Sequence, residues 1–320
     1  MTGNPVELRG LVKRYGDIVA VDGVDLTVQT GDVYGYLGPN GAGKTTSLRM
    51  MLGLIRPTAG SVRLFGRDPL ASVKALEGVA GFVEEPRFYP YLSARKNLEL
   101  LAAFDGGGAS GRIGEVLDVV ELADRARDRV GGYSHGMRQR LGIAAALLRK
   151  PRLLLLDEPT TGLDPAGMRD IRMLIRRLAM KGITVMLSSH QLTEVEDVCN
   201  RVAIIRSGRI VFEGALDDLR QTAATTYRLR TTDPVRALAY CEGQPGIKSL
   251  NAVEAGEITF VADEDAVAEL SVAMAEAGVG ITALIPTRPS LEDLFFRFTE
   301  ADGTAPQPTP ESKTTVMDAV

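Results

Sequence analysis

Hydrophobic and polar residues follow two different patterns in the first two thirds of the chain. Over residues 6–30 they alternate around turns, which predicts antiparallel strands. Four later runs are short and largely apolar, as expected of strands that are buried on both faces of a sheet. These runs are Val33–Leu37, Leu153–Leu156, Thr184–Leu187 and Val202–Ile205. Helical patterns separate the last three runs, so we expect a parallel sheet covered by helices.

Two further stretches of this part are expected to be helical. A helix is predicted from Lys44, directly after the first buried strand. Residues 72–125 are predicted to be mostly helical, interrupted by the glycine-rich surface loop Gly106–Gly111.

The pattern changes near residues 215–225. From there the chain is predicted to run strand, helix, strand, strand, helix, strand, which is the order of a ferredoxin-like α+β domain. The predicted positions are strands at 225–231, 256–262 and 279–286 and helices at 233–242 and 264–277.

The change of pattern also predicts the domain boundaries. We expect an α/β domain over residues 5–215 and a small C-terminal accessory domain over residues 220–300. The accessory domain would end with an amphipathic helix, Pro289–Phe298. Residues 301–320 are rich in Thr, Pro and Ala and are predicted to be disordered.

Composition and charge exclude few classes of protein. The chain has 320 residues, a net charge of −4 and two cysteines, Cys199 and Cys241, without metal-ligand spacing. The acidic balance argues against a nucleic-acid binder, and the cysteine usage fits a reducing compartment. We see no signal peptide, and the longest aliphatic runs are far shorter than the ~20 residues of a spanning helix. Any membrane-spanning part is therefore expected in another chain.

A glycine-rich segment carries the most specific chemical signal of the sequence. Residues 38–45, GPNGAGKT, fit the phosphate-binding pattern G-x-x-x-x-G-K-[ST] between a predicted strand and a predicted helix. Glycines let backbone N–H groups turn towards phosphate oxygens, Lys44 can reach the β- and γ-phosphates, and Thr45 can ligate Mg²⁺. The predicted nucleotide-binding residues are Gly38, Pro39, Asn40, Gly41, Ala42, Gly43, Lys44, Thr45 and Thr46.

Polar residues follow two of the buried strands. Asp157 and Glu158 come directly after Leu153–Leu156, and His190 follows the strand that starts at Thr184. Ligands of parallel α/β sheets bind at the carboxyl ends of the strands. We therefore expect Asp157 to hold Mg²⁺, Glu158 to deprotonate the attacking water and His190 to reach the γ-phosphate.

These segments together, with Thr161-G-L-D-Pro165, resemble the ATP-binding cassette of ABC transporters in order and spacing across roughly residues 5–215. The resemblance implies a P-loop NTPase fold with a mixed sheet core, an antiparallel β subdomain and a helical signature subdomain. It also implies an ATPase that uses ATP and Mg²⁺. Tyr15 matches the aromatic residue that stacks on adenine, although an aromatic there can also be a core residue. Asp164 matches the loop that couples the two sites of a dimer.

The segment Tyr133-S-H-G-Met137 occupies the place of the family signature, usually L-S-G-G-Q. The resemblance implies that Ser134 and Gly136 face the γ-phosphate of ATP held by a second copy, so the expected unit is a dimer. Ser134 would in any case cap the following helix. His135 and Met137 depart from the commonest signature.

Glu85 stands where the family usually has a glutamine. A glutamate there could still ligate Mg²⁺ or position water, but it adds a charge, and the alignment leaves Glu84 and Glu85 as alternatives. The aromatic run Phe88–Leu92 that follows is expected either to contact a membrane subunit or to form a small cluster inside the helical subdomain.

The later motifs look most like bacterial ATPase subunits of drug, antibiotic-peptide and sodium exporters. The resemblance implies that two cassettes work together, in the simplest case as a homodimer. They are expected on the cytoplasmic face of the plasma membrane, bound to a separate membrane permease. No nucleic-acid partner is expected. Two alternatives stay open: a soluble cassette ATPase that acts on ribosomes or DNA, and a self-resistance protein that binds an antibiotic with ATP as a switch.

Overall fold

The computed structural model describes residues 3–104, 107–221, 225–253 and 256–287, together with residues 294, 295 and 298. The predicted tail over residues 301–320 lies outside the described residues, as does most of the predicted helix over residues 289–298.

Within the described residues the chain forms thirteen strands and nine α-helices. The strands are β1 (Val6–Tyr15), β2 (Ile18–Val28), β3 (Val33–Leu37), β4 (Ala59–Arg63), β5 (Val79–Phe82), β6 (Leu153–Leu156), β7 (Thr184–Ser189), β8 (Arg201–Arg206), β9 (Arg209–Ala215), β10 (Thr226–Thr231), β11 (Lys248–Val253), β12 (Glu257–Val261) and β13 (Ile281–Thr287). The helices are α1 (Lys44–Met51), α2 (Ala94–Phe104), α3 (Ile113–Val119), α4 (His135–Leu147), α5 (Pro165–Met180), α6 (Thr193–Glu196), α7 (Leu216–Gln221), α8 (Pro234–Gly243) and α9 (Glu264–Glu276).

A six-stranded mixed sheet in the order β5-β6-β7-β3-β8-β9 forms the centre of the first domain. Its first five strands are parallel, and β9 pairs antiparallel with β8. A separate antiparallel sheet has the order β2-β1-β4. The predicted strands and the helix from Lys44 are confirmed. The mostly helical prediction for residues 72–125 is wrong at β5, because Val79–Phe82 pairs with β6 as an edge strand.

The central sheet separates two hydrophobic cores, which explains its apolar strands. Successive side chains of a strand point to opposite faces. In β6, Leu153 and Leu155 lie in a core with the antiparallel sheet and α1, whereas Leu154 and Leu156 lie in a core with the helices. All four leucines are fully buried, so the strand shows a continuous apolar run rather than an alternating one.

The helices cover one face of the sheet through apolar stripes. In α5, Ile171, Leu174, Ile175 and Leu178 recur at helical spacing and are all buried in that core. Helices α2, α3 and α4 contribute further buried residues to the same core. The helical part of the domain is therefore continuous with the central sheet through one apolar interior.

The C-terminal elements form a four-stranded antiparallel sheet in the order β11-β12-β10-β13, with α8 and α9. This βαββαβ arrangement is ferredoxin-like, as predicted. Its core includes Leu229 of β10, Phe260 of β12 and Leu270 and Met274 of α9.

The end of the described chain packs on the first domain. Leu294 and Phe295 are buried in the core that the helices share with the central sheet. The ring of Phe298 lies 5.7 Å from that of Phe212 in β9, measured between centroids. The C-terminal segment therefore returns to the first domain after the ferredoxin-like sheet.

The close pairing of β5 with β6 yields a stability prediction. A Cβ at Gly81 would lie 1.9 Å from the Leu155 carbonyl oxygen, whereas a Cβ at Gly114 in α3 would meet no atom within 4 Å. We expect Gly81→Ala to lower stability by about 1–3 kcal/mol through overpacking and Gly114→Ala to be neutral or stabilising. Thermal unfolding of both variants checks this, and an unchanged Tm for Gly81→Ala would contradict it.

Candidate active site

The glycine-rich loop connects β3 to α1, in the strand–loop–helix context that its sequence predicts. Gly43 has φ 107° and precedes the first residue of α1. A Cβ at Gly43 would lie 2.3 Å from the Ala20 carbonyl oxygen, and one at Gly38 would lie 2.3 Å from the Ile205 carbonyl oxygen. The loop is therefore held against two neighbouring strands at positions where only glycine fits, and it leads into the N-terminus of a helix, which attracts anions.

Lys44 places a buried ammonium group inside this loop. Its side chain is only 5% exposed, and its Nζ donates to the carbonyl oxygens of Gly38 at 2.7 Å and Pro39 at 3.2 Å. The same Nζ lies 3.3 Å from Oε1 of Glu158. A cation at the centre of a phosphate-binding loop suits a polyphosphate ligand.

Ser188 near the end of β7 holds the two acidic residues that follow β6. Its hydroxyl donates to Oδ1 of Asp157 at 2.5 Å and accepts from the backbone N–H of Glu158 at 2.9 Å. Asp157 is buried, whereas its neighbour Glu158 is partly exposed. No role in the site was predicted for Ser188. Its signal was a hydroxyl residue at the polar end of an apolar run.

Three side chains surround the carboxylate of Glu158. Its Oε2 accepts from the Thr161 hydroxyl at 2.8 Å and lies 2.9 Å from Nδ1 of His190, and Oε1 faces Lys44. Its φ of 45° is unusual for a residue other than glycine, and such conformations concentrate at functional sites. The structure thus brings together the predicted catalytic residues Glu158, His190 and Lys44.

The environment of Glu158 keeps it ionised. Burial alone would raise the pKa of this carboxyl group. The Thr161 hydrogen bond and the nearby Lys44 and His190 charges outweigh burial, and they hold the pKa below its ordinary value. Glu158 is therefore a carboxylate at neutral pH, the form that can accept a proton.

Tyr15 ends β1, and its ring is about half exposed. Nζ of Lys13 lies 5.0 Å from the ring centroid. The next strand, β2, carries Ala20, which is in close contact with Gly43 of the phosphate loop. The tyrosine is therefore on the hairpin that borders the loop. Adenine stacking remains a prediction.

The predicted signature residues and Asp164 lie together, in a pocket that does not include the phosphate loop. Ser134 caps α4 by accepting from the Met137 N–H at 3.2 Å, and Asp164 caps α5 by accepting from the Gly167 N–H at 3.0 Å. Ser134, Gly136 and Asp164 line one pocket. The capping role predicted for Ser134 is confirmed, and the predicted contact with a second copy's ATP stays a prediction.

Glu85 is directed towards the signature helix. Its Oε1 lies 3.3 Å from Nδ1 of His135 and 3.6 Å from Nε of Arg138, and its side chain is half exposed. The neighbouring Glu84 pairs instead with Arg49 of α1. Glu84 and Glu85 therefore have different partners. The Mg²⁺ role of Glu85 is still a prediction.

Comparison with known proteins identifies the family. The sequence profile described as "ABC transporter" matches residues 21–161. The chain is 38% identical over 294 residues to the bacitracin transport ATP-binding protein BcrA of Bacillus licheniformis, an alignment that covers 91% of this chain and 96% of the relative. It is 35% identical over 312 residues to the daunorubicin resistance ATP-binding protein DrrA3 of Streptomyces coeruleorubidus, covering 94% and 98%.

A solved structure agrees with this. The dimeric post-hydrolysis structure of the ATP-binding cassette MJ0796, bound to ADP and Pi, is 27% identical, with a TM-score of 0.59, and the match covers 66% of this chain and 98% of that one. The chain belongs to the ATP-binding proteins of ABC transporters. This cassette is an ATPase. Lys44 and Glu158 remain its predicted nucleotide-site residues. No helix within the described residues is long and apolar enough to cross a membrane.

The geometry of the cassette predicts the effect of removing the Glu158 charge. Glu158→Gln removes the proton acceptor, so we expect the ATP hydrolysis rate to fall by roughly 10²-fold or more. ATP binding should persist, because Lys44 loses a competing carboxylate and gains freedom to meet phosphate. The measurements are a hydrolysis assay and a direct nucleotide-binding assay on the purified protein.

A matched control is Glu77→Gln, the same change at a 71% exposed residue that pairs with Arg67 at 3.7 Å. This control should hydrolyse ATP at the unmodified rate. Full activity in Glu158→Gln would show that another group accepts the proton.

Proposed function

We propose that this cassette powers a separate membrane permease that exports a drug, an antibiotic or a similar compound. Support for the substrate class comes from the bacitracin and daunorubicin proteins that the chain resembles over more than nine tenths of its length. The observation in the structure that carries the proposal is an apolar groove next to the Glu85 segment.

This groove lies where the helical part of the domain meets the edge strand β5. Its lining includes Leu54, Phe82, Phe88, Leu101 and Phe104, and Pro86 and Arg87 border it. Leu54 is 63% exposed and Phe104 is 86% exposed, a high apolar exposure for neighbouring residues. An amphipathic segment of a membrane subunit suits such a groove, since it buries these side chains on docking.

The aromatic residues after Glu85 were expected either to contact a membrane subunit or to form an internal cluster, and they differ in their exposure. Phe88 packs against the helical core, whereas Tyr89 and Tyr91 are exposed, with ring centroids 5.8 Å apart. The partly buried Phe88 fits the predicted internal cluster. The two exposed tyrosines are available to the permease.

The working unit is a homodimer in this proposal. Ser134, Gly136 and Asp164 line a pocket to which the chain's own phosphate loop does not contribute. A second copy with ATP on its loop would supply the phosphate that this pocket meets. The related MJ0796 cassette has been solved as a dimer with ADP and Pi.

Magnesium fits the oxygen donors of the site. Among the described residues no cluster of three or more His, Cys, Asp or Glu side chains could hold a metal ion. Thr45 and Asp157 offer a hydroxyl and a buried carboxylate, which suit Mg²⁺ when phosphate oxygens complete its shell. Mg²⁺ bound there would neutralise phosphate charge.

The proposed mechanism follows from the contacts of Glu158. Lys44 and Glu158 face each other at 3.3 Å, so incoming β- and γ-phosphates compete with Glu158 for the ammonium group. Once Lys44 binds phosphate, the Glu158 carboxylate can take a proton from water as the water oxygen attacks the γ-phosphorus and the bond to ADP breaks. Thr161 and His190 keep that carboxylate oriented. Hydrolysis then reopens the dimer, and the permease converts this change into transport.

The two alternative functions predict structural features that differ from those of this chain. A soluble cassette acting on ribosomes or DNA would gain from a basic face, and the chain is acidic overall. An antibiotic-binding switch would not need the ordered Glu158 site. A peripheral position on the cytoplasmic face of the plasma membrane follows if the permease is the partner.

Co-purification tests the proposal. The tagged Glu158→Gln protein, isolated with ATP and Mg²⁺ from detergent-solubilised membranes of its own host, should retain a polytopic membrane protein in stoichiometric amount. Phe104→Glu should lose it, because a charge enters the groove. The matched control Val235→Glu, at an 80% exposed residue of α8, should keep it. Ribosomes, DNA-bound proteins or no partner would contradict the proposal.

A further inference from the structure

Two of the positions where this chain departs from the commonest cassette pattern contact each other. Glu85 replaces the usual glutamine and His135 replaces a glycine of the signature, and they are 50 residues apart in the chain. Nδ1 of His135 lies 3.3 Å from Oε1 of Glu85. The contact joins the segment that borders the apolar groove to the first residue of α4.

The second ring nitrogen of His135 reaches the loop that carries Glu158. Nε2 lies 3.2 Å from the carbonyl oxygen of Thr161. The Thr161 hydroxyl in turn donates to Oε2 of Glu158 at 2.8 Å. A continuous line of contacts therefore runs from Glu85 through His135 and Thr161 to Glu158 within one subunit. Both atoms that face the ring, a carboxylate oxygen and a carbonyl oxygen, are hydrogen-bond acceptors.

The backbone that carries His135 is held by contacts on both sides of it. Ser134 caps α4 directly before it. One turn later Arg138 donates to the Tyr133 carbonyl oxygen at 2.6 Å and also faces Glu85. A Cβ at Gly142 of α4 would lie 2.3 Å from Cγ of Pro86, so the helix and the Glu85 segment are in direct contact. The ring is thus fixed between two segments that both touch α4.

We propose that His135 is a positioning residue for Glu158. It sets the separation between the Glu85 segment and the Thr161 carbonyl, and through Thr161 it fixes the rotamer in which Glu158 accepts a proton. If a permease occupies the groove, which rests on the proposed function, movement of the Glu85 segment would be transmitted along the same line. A displacement of about 1 Å at a catalytic group is enough to change a rate strongly.

Substitutions at His135 separate its two contacts. His135→Leu fills a similar volume without a donor. His135→Gln places an amide N–H near the position of Nε2 and can restore the Thr161 contact. Both variants are measured as purified full-length protein. We expect kcat of the leucine variant to fall roughly tenfold, while its KM for ATP changes less than twofold. The glutamine variant should recover kcat to within about threefold of the unmodified rate. A role in helix capping alone would not produce this recovery.

A double-mutant cycle tests the connection through Thr161. Thr161→Val removes the hydroxyl that orients Glu158, so it should lower kcat by a similar factor. If His135 acts through Thr161, then adding His135→Leu to Thr161→Val should lower kcat no further than about twofold, because coupled residues are not additive. Thermal unfolding of each variant confirms that the proteins are folded.

The inference would be overturned by an unchanged kcat in His135→Leu or by losses that multiply in the double variant. An increase in KM without a change in kcat would also overturn it, since that result indicates nucleotide contact across the dimer. These assays need no permease. A failure to co-purify a membrane protein would therefore reject the proposed permease partner while leaving the result on His135 intact.

Discussion

The active site depends on the parallel register of three neighbouring strands. Leu156 of β6 pairs with Leu187 of β7, and Leu37 of β3 pairs with Ser189. The phosphate loop begins after Leu37, and the acidic segment begins after Leu156. Both segments therefore start at the same edge of the sheet. Ser188 lies at the same level and binds Asp157 and Glu158 by one hydroxyl. A shift of one residue would turn every side chain to the opposite face and separate these groups.

The positive charge of Lys44 needs negatively charged or polar partners both without and with a bound nucleotide. Lys44 is buried, and a buried ammonium group is costly unless it has acceptors nearby. Two backbone carbonyls and Glu158 supply them in this structure. Phosphate oxygens are stronger partners for the same cation, so in the proposed mechanism nucleotide binding and release of the Glu158 carboxylate are parts of one exchange. The lowered pKa of Glu158 has a related origin, because Lys44 and His190 favour its charged form.

Local sequence patterns predicted most of the fold but only part of the site. The buried strands could be found because their runs are apolar on both faces, and the phosphate loop because its glycines are chemically necessary. Strand β5 was missed, since four small and apolar residues become a strand only by pairing with β6, more than 70 residues later. The partners of Glu85 and the double role of Ser188 were also missed. These contacts join distant segments, and no local periodicity records them.

The C-terminal segment shows how the accessory domain is tied to the cassette. The chain leaves the central sheet through α7, whose Leu216 and Leu219 are buried in the helical core. It forms the ferredoxin-like sheet and then returns Leu294 and Phe295 to the same core. Each buried side chain of this size contributes about 2 kcal/mol. Both ends of the accessory domain are thereby anchored in the apolar interior that also supports α4 and α5. A movement of the helical core during the ATP cycle would then reach the accessory domain through its two anchors.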